Sequence, residues 1–574
     1  MEKRTLVTVA LSMFILLGWY WIQAKYFPPQ KPAPTAPVTP TAPTANAPTP
    51  GAPAPVAGLA PTAAVTAPAA QRAPEQRVTV QRDGLYRAVF STWGASPIEF
   101  TLLNPQYKVG ARGKSLPIEM VRPEAGAPPY TVSFTSTGSD AERSDFDLPA
   151  DANWTLVRQT QDEIVYSVDV GAVHVEKRWE LPATGYRLGM TVTVENRGEK
   201  PLVEHLLVSV PGFQDPAVQG GGMLSFGRRV NLTDGECDLG GKVKRVTWSS
   251  GGGCSGGPPH WGDAFSEVGD VKWIGTGEQF FITAVAFGPG EEGRASCSVA
   301  GDLSGRILAR AVYPSRQIAP HARAEYPMAA YVGPKLLQAL DAVTVGGVDA
   351  RLGDAVDYNL QWLARPMFWV LKKIQVVTRN WGLAIIVITI LLKLVTLYPT
   401  QKSMQSARAM AKLKPDLDRL KARYGDDKAA FSQAQMELFK QKGVSPLGGC
   451  LPMVLQMPIY IAFYSMLSNA VDLYRTSFIG PIDDLTAPFW PLAVLTGALM
   501  FLQQKISPTT PDSQQQKTMM YTMPVMFMAF TLFLPSGLTL YIFTNTLLSM
   551  AQQWWVNRAS DGGLGGAPRK PARA

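Results

Sequence analysis

The sequence predicts a polytopic α-helical membrane protein that carries a large all-β domain. Charged residues make up only 17% of its 574 residues, well below the roughly 25% of an average soluble protein. All four histidines lie before residue 322, whereas fourteen of the twenty methionines lie after residue 360. From about residue 380 onward, long apolar runs carry almost no charge. This second half is therefore predicted to be a membrane domain, which excludes a simple soluble enzyme, a disordered protein and a disulfide scaffold.

Residues 1–27 are predicted to form an N-terminal transmembrane anchor. The stretch from Leu6 to Gln23 is apolar, basic residues precede it, and Trp19, Trp21 and Tyr26 close it. About 18 apolar residues nearly span a hydrocarbon core of ~30 Å, and aromatic residues suit its interface. No small-x-small cleavage pattern follows the apolar stretch. We therefore expect an uncleaved anchor with its N-terminus inside, and a removed signal peptide is the alternative.

The next two segments are predicted to be a linker and a β domain. Residues 28–75 contain fourteen prolines among alanines and threonines, a composition that forms a semi-extended spacer. Residues 76–345 show the period-two alternation of strands, as in the run from Arg187 to Val194, with turn residues between runs. We expect a large antiparallel sandwich. A single preceding span with an inside N-terminus would place it in the periplasm.

Three cysteines lie in this β domain, at positions 237, 254 and 297. Cys237 and Cys254 flank a glycine-rich loop and are a candidate disulfide in an oxidising compartment, with free buried thiols as the alternative. The histidines do not have the spacing of a metal site, and no metal or cofactor is predicted.

The membrane half begins with an amphipathic helix, predicted over residues 357–379, that lies in the membrane interface. A membrane core over residues 380–556 follows, and residues 557–574 form a short tail. The predicted spans of this core are Trp381–Tyr398, Leu447–Asn469, Phe489–Gln504, Met519–Leu534 and Leu538–Val556.

Loop charges set the expected orientation of these spans. Residues 401–446, predicted to be a helical hairpin, hold ten Lys and Arg against five Asp and Glu, whereas residues 470–488 hold one Arg and three Asp. Because basic loops stay in the cytoplasm, the hairpin and both termini are expected inside. Its basic face meets either anionic lipid or only solvent. The anchor and five core spans make six transmembrane helices.

One charge, Lys393, lies within the apolar spans, twelve residues past Trp381. Such a lysine either snorkels to the interface or faces water inside the protein. Polar residues recur at helical spacing on three spans, and the three resulting stripes are Thr389, Lys393, Thr396 and Thr400; Gln456 and Tyr460; and Tyr541, Asn545, Ser549 and Gln552. Taken singly, such stripes serve as interhelical hydrogen bonds. Three stripes around an unpaired cation favour a hydrated pocket.

The residue types in the spans also limit the possible chemistry. Without a histidine or carboxylate there, an intramembrane protease has no base and proton-coupled transport lacks its relay. Nine methionines, among them Met457 and Met500, instead make an adaptable apolar surface that suits many unlike partners. Ordinary core packing is the alternative for each of them.

Several motifs together resemble one family. Asn380-Trp381-Gly382 opens the first core span, and Pro446-Leu447-Gly448-Gly449-Cys450-Leu451-Pro452 is followed by Gln456-Met457-Pro458. With Tyr424-Gly425-Asp426-Asp427, Ser507-Pro508-Thr509-Thr510 and Pro535-Ser536-Gly537-Leu538, these runs closely resemble the YidC membrane-protein insertase family across residues 357–556. The anchor, linker and β domain resemble its Gram-negative form.

The resemblance implies a five-helix insertase core and a periplasmic β-supersandwich in the bacterial inner membrane. It implies a hydrophilic groove open to the cytoplasm and to lipid, with Lys393 at the position of the family's groove cation. The other groove and client-contacting residues that it implies are Thr389, Gln456, Met457, Pro458, Tyr460, Met500 and Tyr541. The next position after Tyr541 is often a second tyrosine in relatives and is Ile542 here.

A membrane insertase and chaperone for new inner-membrane proteins is the expected function. The implied partners are nascent membrane proteins, the ribosome, the Sec translocon and the lipid bilayer, with no direct nucleic-acid recognition. Since no bond is made or broken, the protein is not expected to be an enzyme. A small-solute transporter and a purely structural scaffold are the competing interpretations, although no convincing internal repeat supports the transporter.

Overall fold

The computed structural model describes residues 74–110, 115–137, 142–217, 232–249, 260–288, 295–425, 427–443, 451–506 and 514–561. The predicted anchor, nearly all of the predicted linker, most of the C-terminal tail and Cys254 lie outside these residues.

A ten-stranded and a five-stranded antiparallel sheet dominate the first half of the chain. Strands are numbered in chain order. The larger sheet has the spatial order β15 (His260–Trp261), β14 (Lys242–Ser249), β13 (Asp234–Leu239), β17 (Val271–Gly277), β18 (Phe281–Phe287), β22 (Arg323–Pro334), β10 (Arg187–Asn196), β9 (Val173–Glu180), β8 (Glu163–Val170) and β7 (Thr155–Gln159). The smaller sheet has the order β16 (Phe265–Gly269), β19 (Ala295–Gly301), β20 (Arg306–Val312), β12 (Leu207–Phe213) and β6 (Thr131–Ser133).

Smaller sheets complete the β domain. A three-stranded sheet contains β1 (Arg77–Arg82), β2 (Tyr86–Ser91) and β3 (Ser96–Leu102). The two-stranded pairs are β4 (Lys108–Val109) with β5 (Leu116–Pro117), β11 (Leu202–Glu204) with β21 (Arg316–Ile318), and β23 (Thr344–Val345) with β24 (Val348–Asp349). Short 3₁₀ turns are Pro123–Ala125, Leu352–Ala355 and Val471–Leu473.

The two large sheets pack face to face. β13 and β17 of the larger sheet contact β19 and β20 of the smaller one. The approach is close at Gly235, where an added Cβ would lie 2.5 Å from a methyl group of Val299 and 2.7 Å from one of Ile307. Strand β9 alternates between buried and more exposed positions, whereas every residue of β18 is buried. The predicted all-β domain is confirmed as a pair of packed antiparallel sheets.

A disulfide joins these two sheets. Cys237 on β13 is bonded to Cys297 on β19, both side chains are fully buried, and their Cα atoms are 6.7 Å apart. Cys237 is therefore not paired with its candidate partner Cys254, and it is not a free thiol either. Nearness in sequence favoured that pair, whereas sheet packing brings together two strands whose cysteines are 60 residues apart. Closing a loop of this length stabilises the fold by about 4 kcal/mol in the chain-entropy account.

The second half of the chain is helical. Its helices are α1 (Leu337–Asp341), α2 (Gln361–Thr378), α3 (Trp381–Lys412), α4 (Lys414–Tyr424), α5 (Lys428–Gln441), α6 (Leu451–Asn469), α7 (Trp490–Ile506), α8 (Gln514–Thr531) and α9 (Ser536–Asp561). Asp427 caps the N-terminus of α5, because its carboxylate accepts hydrogen bonds of 3.0 Å from the amides of Ala429 and Ala430. Such an N-cap stabilises a helix by ~1 kcal/mol.

Helix α3 is longer than the predicted first core span. It continues through Pro399 and includes the first residues of the predicted hairpin, before α4 and α5. Its stretch Trp381–Ser406, with a mean hydropathy of 2.2 over its most apolar window, is the one helix in the described ranges that is long and apolar enough to cross a membrane by length and composition. The predicted number of six transmembrane helices is not confirmed by this criterion.

The β domain contains a buried carboxylate, Glu204 on β11, which is fully inaccessible to solvent. The hydroxyl of Tyr326 on β22 donates to one of its oxygens, and the other oxygen has no hydrogen-bond partner in the described part of the chain. Burial raises the pKa of Glu204 to about 7, against the opposing effects of the Tyr326 hydrogen bond and the Arg316 charge. The folded β domain therefore holds a protonated carboxyl group up to nearly neutral pH.

This raised pKa predicts a pH-dependent stability that Glu204→Gln removes. Because the folded pKa exceeds the unfolded value, the stabilisation is complete below pH ~4.5 and is lost as the pH rises through about 7. The loss amounts to about 3 kcal/mol, from 1.36 kcal/mol per pKa unit. Thermal unfolding of the purified chain in detergent at pH 5 and pH 8 should show Glu204→Gln as the more stable protein at pH 8. Glu325→Gln, at an exposed position beside Tyr326, is the control. An equal pH response of wild type and Glu204→Gln would contradict the assignment.

Candidate functional site

The predicted polar stripes lie on α3, α6 and α9, and each of these helices packs against the other two. The sequence alone places the stripes on separate helices. The structure brings them together through hydrogen bonds between helices. One side-chain bond joins α3 to α9 and one joins α6 to α9, and the side-chain amide of Gln552 on α9 also donates to the carbonyl of Leu397 on α3 at 3.5 Å. Seven of the residues predicted to line a groove lie on these helices, and we call them, together with Ser549, the hydrogen-bond partner of Lys393, the groove residues: Thr389, Lys393, Gln456, Met457, Pro458, Tyr460, Tyr541 and Ser549.

Lys393 is half-buried and is held by a neutral partner. Its Nζ donates a hydrogen bond of 2.7 Å to the Oγ of Ser549, which in turn donates at 2.7 Å to the carbonyl of Asn545. No carboxylate pairs with Lys393 within the described ranges. A lysine ammonium has three donors. Its charge is therefore not neutralised by a described side chain, and one donor is used by Ser549.

The threonines of the α3 stripe donate their hydroxyl hydrogen bonds to backbone carbonyls of their own helix. Thr389 is 1% exposed, and its hydroxyl donates to the carbonyl of Ile385 at 2.6 Å. Thr396 and Thr400 likewise donate to carbonyls one turn earlier. Such bonds satisfy a hydroxyl within the helix and leave it little capacity to donate to another molecule. Lys393 is thus the side chain of this stripe that reaches across to another helix.

On α6, Gln456 reaches across to α9. Its Nε2 donates to the hydroxyl oxygen of Tyr541 at 2.8 Å. Tyr541 is only 2% exposed because its ring stacks on Phe463, with ring centroids 4.3 Å apart. The hydroxyl of Tyr460 lies buried without a hydrogen-bond partner among the described residues. Unlike Tyr541, Tyr460 keeps an unused hydrogen-bonding group in this part of the site.

The apolar residues of the site differ in how much of their side chains is exposed. Met457 is 40% exposed and the adjacent Pro458 is also exposed, so this face of α6 is open. Met500 lies half-buried on α7. Helix α7 packs against α8 and α9 and has no residue in the hydrogen bonds between α3, α6 and α9 described above. The predicted site residues therefore divide into a bonded set on α3, α6 and α9 and a separate methionine on α7.

Sequence reasoning missed Phe463 as part of the site. It lies seven residues after Gln456, so it shares the face of α6 that carries Gln456 and Tyr460. Its aromatic ring covers Tyr541. The same spacing that defined the stripe could have identified it, had apolar residues been counted along with polar ones.

Family models match both halves of the chain. Residues 77–370 match the YidC periplasmic domain, and residues 373–562 match the 60Kd inner membrane protein. These two matches together cover the packed sheets and the helices that carry the groove residues.

Relatives that match nearly the whole chain are membrane protein insertases named YidC. The chain is 33% identical to the membrane protein insertase YidC of Anaeromyxobacter dehalogenans (strain 2CP-C) over 560 residues, which is 96% of each protein. It is 31% identical to that of Syntrophus aciditrophicus (strain SB), over 97% of this chain and 100% of the relative.

Among solved structures, an active YidC insertase with its first transmembrane domain resolved matches 84% of this chain and 93% of its own, with 15% identity and a TM-score of 0.33. The sequence relatives and the family models, rather than this structural likeness, show the family. On their strength, the chain belongs to the YidC family of membrane protein insertases.

Proposed function

We propose that this insertase moves the polar flank of a nascent membrane protein past the groove residues, while the client's apolar segment enters lipid. Membrane protein insertion makes and breaks no covalent bond, so the protein is not an enzyme. The observation that carries the proposal is the state of Lys393. It is a cation within an apolar helix, bonded to the neutral Ser549 and to no described carboxylate.

The charge of Lys393 fits the energetics of this step. A lysine at mid-membrane costs ~2.5–3.5 kcal/mol on insertion scales, and nearby water or an acidic client flank lowers that cost. The membrane potential favours outward movement of negative charge by ~2.3 kcal/mol per charge per 100 mV. An acidic flank drawn to Lys393 would therefore continue outward, and partition of about twenty apolar residues into lipid completes insertion.

The exposed face of α6 suits the apolar part of a client. Met457 and Pro458 are exposed beside the bonded pair Gln456 and Tyr541. A methionine side chain is flexible and polarizable, so it adapts to unlike apolar segments. We infer that clients slide along this face, with Lys393 acting on the polar flank and Met457 on the apolar segment.

We further propose six transmembrane helices, with both termini in the cytoplasm and the β domain in the periplasm. The excess of basic residues in 401–446, ten against five acidic ones, supports a cytoplasmic hairpin. The Cys237–Cys297 disulfide supports the placement of the β domain, because disulfides persist in oxidising compartments. The partners proposed beyond nascent membrane proteins are lipid, the ribosome and the Sec translocon, with α4 and α5 receiving the client.

The charge of Lys393 is tested by two substitutions. Lys393→Arg should insert clients normally, whereas Lys393→Ala should slow clients with acidic translocated tails by about 5-fold, which corresponds to about 1 kcal/mol. Insertion is measured with purified protein in liposomes, without ATP, on matched clients with acidic and neutral tails. Lys505→Ala, at the end of α7, is the control. Equal insertion of both tails by Lys393→Ala would rule out the electrostatic role.

Photocrosslinkers test the client path. A crosslinker at Met457 should capture ribosome-bound clients efficiently because this position is exposed. Capture at Tyr541 should be weaker, since this side chain is covered by Phe463 until α6 and α9 separate. Val377 on α2, 83% exposed, is the control for random capture. If neither Met457 nor Tyr541 formed crosslinks to clients, these faces would serve only in packing between the helices.

Deletions test where clients are received. Removal of residues 405–440 should impair insertion more strongly than removal of most of 80–330, because the hairpin is proposed to meet the client first. Insertion of a single-span client in cells that depend on the variant is the measurement, with membrane levels of each variant as the control. The reverse order would place client reception on the β domain.

A further inference from the structure

The C-terminal end of α6, which the proposed topology places on the periplasmic side, is bonded to the β domain and to the segment that precedes α2. We call it the outer end of α6. Gln279, in the turn between β17 and β18, donates from its side-chain amide to the carbonyl of Ser468 at 2.6 Å. Asn469 donates to the carbonyl of Asp357 at 2.7 Å, and the amide of Asn359 donates to the hydroxyl of Ser465 at 2.7 Å. The last two turns of α6 are thus bonded from two sides.

A second set of contacts holds the residues that follow α6. The guanidinium of Arg475 donates to the carbonyls of Lys108 and Gly110 at 2.9 and 2.5 Å, and the hydroxyl of Tyr474 donates to the carbonyl of Lys108 at 2.9 Å. In the other direction, the side chain of Gln106 donates to the carbonyl of Tyr474 at 2.8 Å. These bonds attach the segment to β4 and its flanking residues.

Aromatic packing covers the same segment. The ring of Tyr474 lies 5.2 Å from that of Phe280 and 5.5 Å from that of Phe281, measured between centroids, and Tyr107 packs edge-on against Phe281. Phe280 and Phe281 adjoin Gln279, so the aromatic contacts and the Gln279 hydrogen bond come from one turn of the β domain. Together with the bonds of Tyr474 and Arg475 to β4, they connect the end of α6 to the β domain, and we call these contacts the joint.

The backbone of Arg475 is strained in a way that fits a holding role. Its φ is +53°, in the left-handed region that costs a residue with a Cβ roughly 1 kcal/mol or more. Such strain persists where surrounding contacts fix the conformation. Here the two guanidinium bonds to the β domain supply contacts of that kind.

Buried charges make the opposite side of the joint rigid. Glu236 is 1% exposed and pairs with Lys335 at 3.2 Å. Lys335 and Arg245 both donate to the carbonyl of Ala355, at 3.3 Å. Burial raises the pKa of Glu236, but the two cations Lys335 and Arg245 outweigh it and lower that pKa, so the Glu236 carboxylate stays ionised. The segment that leads to Asp357 is therefore fixed to β13 and β14.

Helix α6 connects this joint to the groove residues. Gln456 lies nine residues before Ser465, about 14 Å along the helix at 1.5 Å per residue. Fixing the outer end of the helix limits its rotation about its axis, and that rotation decides whether Gln456 and Tyr460 face α9. The Gln456–Tyr541 bond can then form without help from a client.

We propose that the β domain positions the groove face of α6 by holding its outer end, with Gln279 and Arg475 as positioning residues. This inference deepens the proposed function and rests on it. It assigns the β domain a task in insertion that requires no client contact. Loosening the joint should slow insertion without abolishing it, because Lys393 and the exposed face of α6 remain.

Two substitutions loosen the joint by different means. Gln279→Glu keeps the side-chain shape but replaces the donating amide with a carboxylate that faces the Ser468 carbonyl. Arg475→Gly removes the guanidinium and also relieves the left-handed backbone, so the variant loses the contact without added strain. Arg306→Ala is the matched control, since Arg306 also donates to a backbone carbonyl, that of Glu124, within the β domain.

The experiment measures the helix and the activity separately. Spin labels at Met457→Cys on α6 and Leu547→Cys on α9, with Cys254 and Cys450 changed to alanine, report the distance between the helices in full-length protein in liposomes. Unlabelled variants are assayed for ATP-independent insertion of a single-span client. We expect both joint variants to broaden the distance distribution and to slow insertion by about 3- to 10-fold, with Arg306→Ala unchanged.

The other outcomes overturn the inference. An unchanged distance distribution in both variants would mean that the joint does not determine the position of α6. Slower insertion without a broader distribution would assign the β domain another role, and a broader distribution with normal insertion would separate helix position from activity. Failure of the wild-type protein to insert the client would instead refute the proposed function. Should Arg475→Gly fold poorly by circular dichroism, Gln279→Glu decides alone.

Discussion

A lysine ammonium among apolar helices costs free energy unless water, an anion or hydrogen-bond acceptors surround it. In this protein Lys393 has a serine hydroxyl as its partner, which accepts one hydrogen bond and does not neutralise the charge. The consequence is a site that is partly satisfied at rest and better satisfied with an acidic group nearby. A carboxylate in the place of Ser549 would neutralise the ammonium group and, in the proposed mechanism, would compete with the acidic flank of a client.

Helical spacing predicts much of this site and leaves its bonding open. The periodic positions of Thr389, Lys393 and Thr396 place them on one face of α3, which the structure keeps. Spacing does not say whether a hydroxyl donates across to another helix or back to its own, and the threonines do the latter. The choice depends on how closely the neighbouring helix approaches, which is a property of packing and is not encoded in one segment.

The β domain shows a similar limit. Period-two alternation predicts strands and a sandwich, but the order of ten strands in one sheet depends on pairings between distant residues. The disulfide is an example, because Cys237 meets Cys297 only through packing of β13 on β19. The joint with α6 is another, since Arg475 bonds to the carbonyls of Lys108 and Gly110, more than 360 residues earlier. Backbone carbonyls carry no sequence signature, so such contacts appear only in three dimensions.

Pro458 gives α6 a further property. Proline has no amide hydrogen, so the carbonyl four residues earlier lacks its helical donor and the helix bends more easily there. The compliant point lies seven residues inward of Ser465, about 10 Å from the held end. Bending would therefore move the inner part of α6 while the outer part stays in place. If α6 is oriented as proposed, its periplasmic part would stay packed while a client enters from the cytoplasm, and ions would not leak through the bundle and discharge the membrane potential.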